Sequence, residues 1–139
     1  MIDLPTKALS SRQPWVWASL NVGKRIENRP RRFHYRGPIC LHASLYRPTQ
    51  SDVDALAEVQ ARLPQRLCPI GDIWGDDLKA ARDQPNGGIV GTAEIVDLVE
   101  QSDSPWFFGP YGLVLENVKP VEFIPVKGAL GLFDWRKKL

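Results

Sequence analysis

The amino-acid sequence predicts an α+β domain in which five or six short strands, with two or three helices inserted early, form a small curved sheet that closes into a β-barrel. Three observations predict it. Helical patterning ends by Asp83, whereas from Ile89 onward apolar residues fall in short runs broken by Gly, Pro and Asn. The 139 residues suffice for one core, so residues 1–139 are read as a single domain. An apolar fraction of 43% and a charged fraction of 24% are those of an ordinary globule, and no repeat, low-complexity run or linker divides the chain.

Lys7-Ala8-Leu9-Ser10 reads as the first strand. Gln13-Pro14 opens a helix, since proline is tolerated in a first turn; Trp15, Val16, Ala18, Leu20 and Val22 supply its apolar side and Gly23 its stop. A short strand, Arg25 to Arg29, follows, and Pro30 rules out a helix there. Gly37-Pro38 marks a turn before a mostly apolar, central strand, Ile39 to Ser44. Ser51 is the expected cap of a second helix, with Asp52 and Asp54 in the first turn where the dipole favours acids. Val53, Leu56, Ala57 and Leu63 form its stripe and Pro64 its end. Residues 64–75 read as loop, Asp76 to Asp83 as a short acidic helix, and Pro85-Asn86-Gly87-Gly88 as a turn. Ile89 to Val99 is a long strand with Gly91 as a bend or bulge. Leu113–Leu115, Val121–Val126 and Leu130–Phe133 are three more strands, separated by Asn117–Pro120 and by Lys127-Gly128.

The net charge of +2 hides a polarity along the chain. Residues 1–36 carry eight Lys or Arg against two acids, residues 37–103 five against eleven, and residues 104–139 five against three. A polyanion is therefore drawn to one side and repelled by the other. The start Met-Ile-Asp-Leu-Pro lacks the layout of a secretory signal and no apolar run reaches membrane-spanning length, so a cytoplasmic protein without membrane partners is expected. Cys40 and Cys68 are read as reduced buried thiols.

The densest functional signal lies in Gly23 to Arg36, where six residues are Lys or Arg and Glu27 is the single acid. Guanidinium groups fork onto phosphates, while Phe33, His34 and Tyr35 offer flat faces for bases; the alternative is a solvated basic face. Lys24, Glu27 and Arg29 share one strand. They form either a strand-to-strand salt-bridge cluster or a catalytic group in which Lys24 and Arg29 stabilise negative charge and Glu27 acts as base. Arg12-Gln13-Pro14-Trp15 sits at a helix start, where backbone N–H groups attract anions. Arg12 adds a guanidinium there, Gln13 can read a base edge and Trp15 is partly exposed, with Trp17 packing in the core. Trp106, Phe107, Phe108 and Tyr111 flank Gly109-Pro110, either plugging the barrel or forming a stacking platform in which Trp106 or Tyr111 is exposed. His42 and Ser44 share a strand face, as a side-by-side nucleophile and base or with Ser44 as a polar contact in the cleft. Lys127-Gly128 adds a charge with close backbone approach, or is a solvated hairpin. A metal site from Cys40 and His42 would lack further ligands, because the only other histidine is His34; neither metal nor cofactor is expected.

With these segments placed, the sequence resembles the ASCH domain family, a branch of the PUA-like β-barrel superfamily. The resemblance runs through Leu9 to Trp17, Gly23 to Arg29, Tyr35 to Ser44, Gly88 to Ile95, Ser104 to Gly112 and Val126 to Phe133. It implies a small PUA-like barrel associated with RNA, or in some members DNA, with a cleft between the barrel and the first helix. Some bacterial members look like ribonucleases. Other small relatives hydrolyse the acetamide of N4-acetylcytidine through a Lys-x-x-Thr-x-Arg pattern, in which Lys24 matches the lysine and Arg29 the arginine. Glu27 stands where those hydrolases carry the nucleophilic threonine, and a carboxylate there does not repeat acyl transfer from a hydroxyl.

The expectation is thus a nucleic-acid-binding protein, acting on RNA or another single-stranded nucleic acid, with metal-independent ribonuclease chemistry as its possible reaction. Its catalytic candidates are Lys24, Glu27, Arg29 and Ser44. Arg12, Gln13, Trp15, Arg31, Arg32, Arg36, Trp106, Tyr111 and Lys127 are its nucleic-acid-binding candidates. The alternatives are an amidohydrolase of a modified nucleoside such as N4-acetylcytidine and a non-catalytic modified-base reader. The acidic segment 72–103 is a candidate surface for a protein partner.

Overall fold

A computed structural model describes residues 3–63 and 78–139. The architecture is α+β: among the described residues six strands form one sheet that curls into a half-barrel, with three α-helices and a closing 3-10 helix. The strands are β1 (Lys7–Ser11), β2 (Ile26–Arg29), β3 (Gly37–Ala43), β4 (Gly88–Val99), β5 (Tyr111–Pro125) and β6 (Leu132–Asp134). The helices are α1 (Trp15–Asn21), α2 (Gln50–Ala61) and α3 (Leu78–Arg82), and the 3-10 helix is Trp135–Lys138. Across the sheet the order is β2-β5-β4-β3-β1-β6, antiparallel throughout except for the parallel β1–β3 pair. The predicted strand Ile39 to Ser44 is accordingly central.

Several boundaries move, each for a local reason. β3 begins at Gly37, two residues before the expected start, because Pro38 pairs only with β4 (opposite Glu94) and β1 reaches no further than Cys40. α1 begins at Trp15, since Gln13 Oε1 accepts from the Trp17 N–H at 2.9 Å and so holds the chain outside the helix. α2 is capped by Thr49 and not Ser51: the Thr49 hydroxyl accepts from Asp52 N while Asp52 Oδ2 accepts from Thr49 N at 2.8 Å. Its buried stripe is Val53, Leu56 and Val59, and Ala57 is exposed.

The largest difference is β5. Two strands were predicted across Asn117–Pro120, but one runs the full fifteen residues. Asn117 takes a left-handed φ of 53° and its Nδ2 bonds Glu94 on β4, so the strand turns at irregularities in the β4–β5 register without ending. Leu130, expected to start the last strand, is solvent-exposed, and Trp135 after β6 is buried with its Nε1 donating to Pro5 O at 2.7 Å. The expected loop 64–75, Cys68 and the first two residues of the acidic helix lie outside the described residues.

Side chains alternate across β1, and this divides the protein. Leu9 packs with Leu41, Ile95, Leu113 and Val16 of α1 on one face, whereas Ala8 packs with Cys40, Ile89, Val126 and Trp135 on the other. A third cluster, with Trp17, Leu56, Ala81 and Trp106, joins the helices to the loop before β5. Burial pushes the Cys40 thiol up to about 11, which leaves it an unreactive core residue. Among the described residues no helix is long and apolar enough to cross a membrane.

Gly91 marks how tightly α1 sits on the sheet. A Cβ there would lie 2.7 Å from Lys119 O and 2.8 Å from Leu20 Cδ2. Gly91→Ala is expected to destabilise the fold by about 1–3 kcal/mol, seen as a lower urea midpoint with an unchanged slope. An unchanged midpoint would show that β5 and α1 yield at this contact.

Candidate functional site

β2 delivers Glu27 and Arg29, and the turn before it Lys24, to the floor of a cavity of about 450 Å³. The cavity is lined by Ser10, Ser11 and Arg12 from the end of β1, Trp15 of α1, Lys24 to its side, Glu27, Asn28 and Arg29 of β2, then Pro30 and Phe108. β2 pairs with the start of β5, Glu27 opposite Leu113 and Arg29 opposite Tyr111, which fixes where these side chains emerge.

Lys24 is only 2% exposed, so its ammonium needs partners. Its Nζ donates to Ile26 O and lies 3.3 Å from Glu27 Oε1. The other oxygen, Glu27 Oε2, accepts from Ser11 Oγ at 2.7 Å and pairs with Arg29 Nη2 at 3.0 Å. Arg29 Nη2 also donates to Ser10 O at 2.7 Å and Ser11 Oγ at 3.1 Å. These contacts all use one nitrogen. Arg29 Nε is buried with no partner, and Nη1 bonds no described residue. Burial pushes the Glu27 carboxyl up, but the adjacent Lys24 and Arg29 charges and the Ser11 hydroxyl outweigh it, and the net shift is downward from the usual 4.5. A lowered carboxyl pKa makes Glu27 a weaker base than a free carboxylate, and its two engaged oxygens make it an anchor.

The walls are aromatic. Trp15 and Phe108 meet edge-to-face with ring centroids 6.1 Å apart, and Phe108 is 55% exposed. Asn28 positions the loop that carries Phe108: Oδ1 accepts from Phe108 N at 2.8 Å and Gly109 N at 3.1 Å, and Nδ2 donates to Trp106 O at 2.9 Å. Arg12 stands exposed at the rim with its guanidinium 4.3 Å from the centre of the Tyr46 ring.

The structure therefore brings Lys24, Glu27, Arg29, Arg12 and Trp15 together, and separates other candidates from them. Ser44 and Lys127 do not line this cavity; they line a second one, with His42 and Gly128. Gln13, a candidate reader of a base edge, is 2% exposed, and its amide is held by Trp17 N and by Pro85 O at 3.0 Å. Trp106 is not a stacking face but a core residue, 3% exposed. Tyr111 is half-buried on β5, with the Arg32 guanidinium 5.1 Å from its ring centre. Arg32 pairs with Glu100 at 3.1 Å, and Arg36 Nη1 holds Phe33 O and Tyr35 O, so both organise the loop outside the cavity; Arg31 is exposed there. The acidic segment 72–103 lies partly outside the described residues.

Ser10, Ser11, Asn28, Pro30 and Phe108 are lining residues that sequence reasoning did not select. Phe108 could have been found, being next to Gly109-Pro110 in an aromatic-rich loop, and Asn28 stands inside the basic stretch. Among the described residues no three His, Cys, Asp or Glu side chains gather as metal ligands. The sequence matches no protein-family model and no curated protein.

Glu27→Gln keeps the volume but leaves the Lys24 and Arg29 cations without a counter-charge. A loss of about 3–5 kcal/mol is expected at pH 7 by urea unfolding. A carboxyl whose folded pKa is depressed contributes stability above its ordinary value of 4.5 and loses that contribution as the pH falls through the lower folded value. The gap between the native protein and Glu27→Gln should therefore close below that pH; a gap that stays constant would mean the ion pairs are not its source.

Proposed function

We propose that this chain is an RNA-binding protein of the ASCH domain family, with a PUA-like barrel, that admits one nucleotide of a single strand into the cavity on β2. The observation that carries the reading is the pairing of cations with accessible aromatic rings, Phe108 exposed and Trp15 half-buried, around one open cavity. Trp15 and Phe108 supply flat faces for a base, and Arg12 with the unbonded Nη1 of Arg29 supplies donors for a phosphate. The trio Lys24, Glu27 and Arg29 carries a net single positive charge, so the floor still attracts anions after its internal pairing. Binding rather than strand cleavage is the better reading, because both Glu27 oxygens are already engaged by Lys24, Ser11 and Arg29 and Ser44 lies at another cavity. The protein would work in the cytoplasm, without a cofactor.

A second reading is favoured by size. About 450 Å³ is a small-ligand volume, so a single modified nucleoside, such as N4-acetylcytidine, could be the substrate or the base that is read. Incubation with modified nucleosides and with short RNA, followed by mass spectrometry, separates a hydrolase from a binder by which molecule changes mass.

Fluorescence anisotropy with a labelled single-stranded RNA tests the leading reading. Phe108→Ala should weaken binding by about 1–3 kcal/mol, roughly 5- to 150-fold in Kd, if a base stacks there. Arg12→Ala should lower the slope of log K against log salt by roughly 0.7 if it meets one phosphate. Binding that ignores salt, or no anisotropy change with any RNA, would overturn the proposal.

A further inference from the structure

The second cavity, about 650 Å³, lies where β1, β3 and the chain leaving β5 meet, and shares only Ser10 with the lining of the first. Its walls are mostly aliphatic: Leu45, Pro125, Val126, Ala129 and Leu130, with Leu45 and Leu130 exposed. Lys127 at its rim is the one cationic side chain among its lining residues. Such a volume suits an apolar group far better than a phosphate chain.

A polar pair sits against this volume. The parallel β1–β3 register sets Ser10 beside His42, and Ser10 Oγ lies 2.8 Å from His42 Nδ1. The other ring nitrogen, Nε2, lies 2.7 Å from Val126 O. A carbonyl oxygen only accepts, so Nε2 carries the ring hydrogen; Nδ1 of the neutral imidazole is then an acceptor, and the Ser10 hydroxyl donates to it. Burial holds His42 below its usual pKa against the opposing pull of the Val126 carbonyl, which keeps the ring neutral at pH 7. A hydroxyl donating to a basic nitrogen, whose far side is oriented by a third group, is the arrangement of an activated nucleophile.

Gly128 keeps the pair uncovered by a side chain. A Cβ there would stand 2.8 Å from His42 Cε1, 3.2 Å from Nδ1 and 3.2 Å from Ser10 Oγ. Ser44, two residues on and just past the end of β3, does not take the hydroxyl position beside His42; its Oγ accepts from Tyr46 N. The nucleophile comes from the neighbouring strand instead.

We propose that Ser10 and His42 form a second reactive site, an esterase centre for small esters with short aliphatic acyl groups, independent of the RNA-binding reading. Ser10 Oγ attacks the ester carbonyl carbon as its proton passes to His42 Nδ1. The bond from that carbon to the alcohol oxygen then breaks, and the alcohol leaves with the proton from Nδ1. Water attacks the acyl-serine, giving one proton to Nδ1, and the carboxylic acid departs as that proton returns to Oγ. The Val126 carbonyl stabilises the imidazolium formed in both halves, and the aliphatic walls hold the acyl chain.

The test uses the full chain with p-nitrophenyl butyrate, and separately a fluorophosphonate that labels activated serines. Turnover of the ester should fall at least about 100-fold in Ser10→Ala, with folding of the variant verified by circular dichroism. Peptide mass mapping of the labelled native protein should place the phosphonate on Ser10; this arm needs no variant to fold. No labelling, labelling at another residue, or turnover retained in a folded Ser10→Ala protein would each overturn the assignment.

Discussion

Burying the ammonium of Lys24 is the constraint around which the cleft is built. At 2% exposure that charge must find both a hydrogen-bond acceptor and an opposite charge, and Ile26 O and Glu27 supply them. Glu27 in turn is held by Ser11 and Arg29, and Arg29 by the carbonyl of Ser10. One lysine therefore ties the edge strand β2 to β1, although the two stand at nearly opposite ends of the strand order. No ladder hydrogen bond joins β2 to β1, so these side chains draw the curled sheet together across its open side.

β1 serves both cavities because a strand shows alternate residues to opposite faces. Ser11 projects toward Glu27 and Arg29, Ser10 toward His42 and Gly128, and the Ser10 carbonyl turns back to meet Arg29. Two adjacent serines thus belong to two different chemical settings, one ionic and one nearly apolar. The division also explains why Ser44 and Lys127 do not join Lys24: both belong to the His42 side of the sheet.

Much of the fold was legible because it follows from local chemistry. The long strand from Ile89 with its irregularity at Gly91, the central apolar strand and the helix after Pro14 all read from periodicity and turn residues. What misled was context. Asn117 and Pro120 look like strand breakers, but an Asn can take a left-handed φ inside a strand when its neighbour offers a bond, here Glu94. Ser51 and Thr49 are equally good caps by type, and only the helix start decides which one meets Asp52. The cluster at β2 was legible, since four charges lie within the six residues 24–29. The burial of Gln13 and Trp106 was not legible, because one polar amide can close a helix start, and one ring of an aromatic loop can fill a core, with no local sign of either. The Ser10–His42 contact depends on a parallel register between strands thirty-two positions apart, which no local pattern encodes.

The internal pairing of the trio assigns its members different duties. Lys24 is enclosed and held by Ile26 O and Glu27, so a ligand bound here would meet its charge more than a direct hydrogen bond. Glu27 has both oxygens engaged, which orients the two cations and keeps the group at a single net positive charge rather than two. Arg29 keeps two nitrogens, Nε and Nη1, unbonded to any described residue, and Nη1, unlike the occluded Nε, is not buried. On the proposed reading, fine discrimination at this floor would fall to one planar guanidinium, assisted by Arg12 at the rim, whereas Lys24 and Glu27 fix its place. Arg29→Lys would keep the charge but lose the planar fork that reaches Ser10 O and Glu27 while leaving Nη1 to spare. A cleft whose selectivity rests on that geometry should be far less tolerant of this exchange than one that merely collects positive charge.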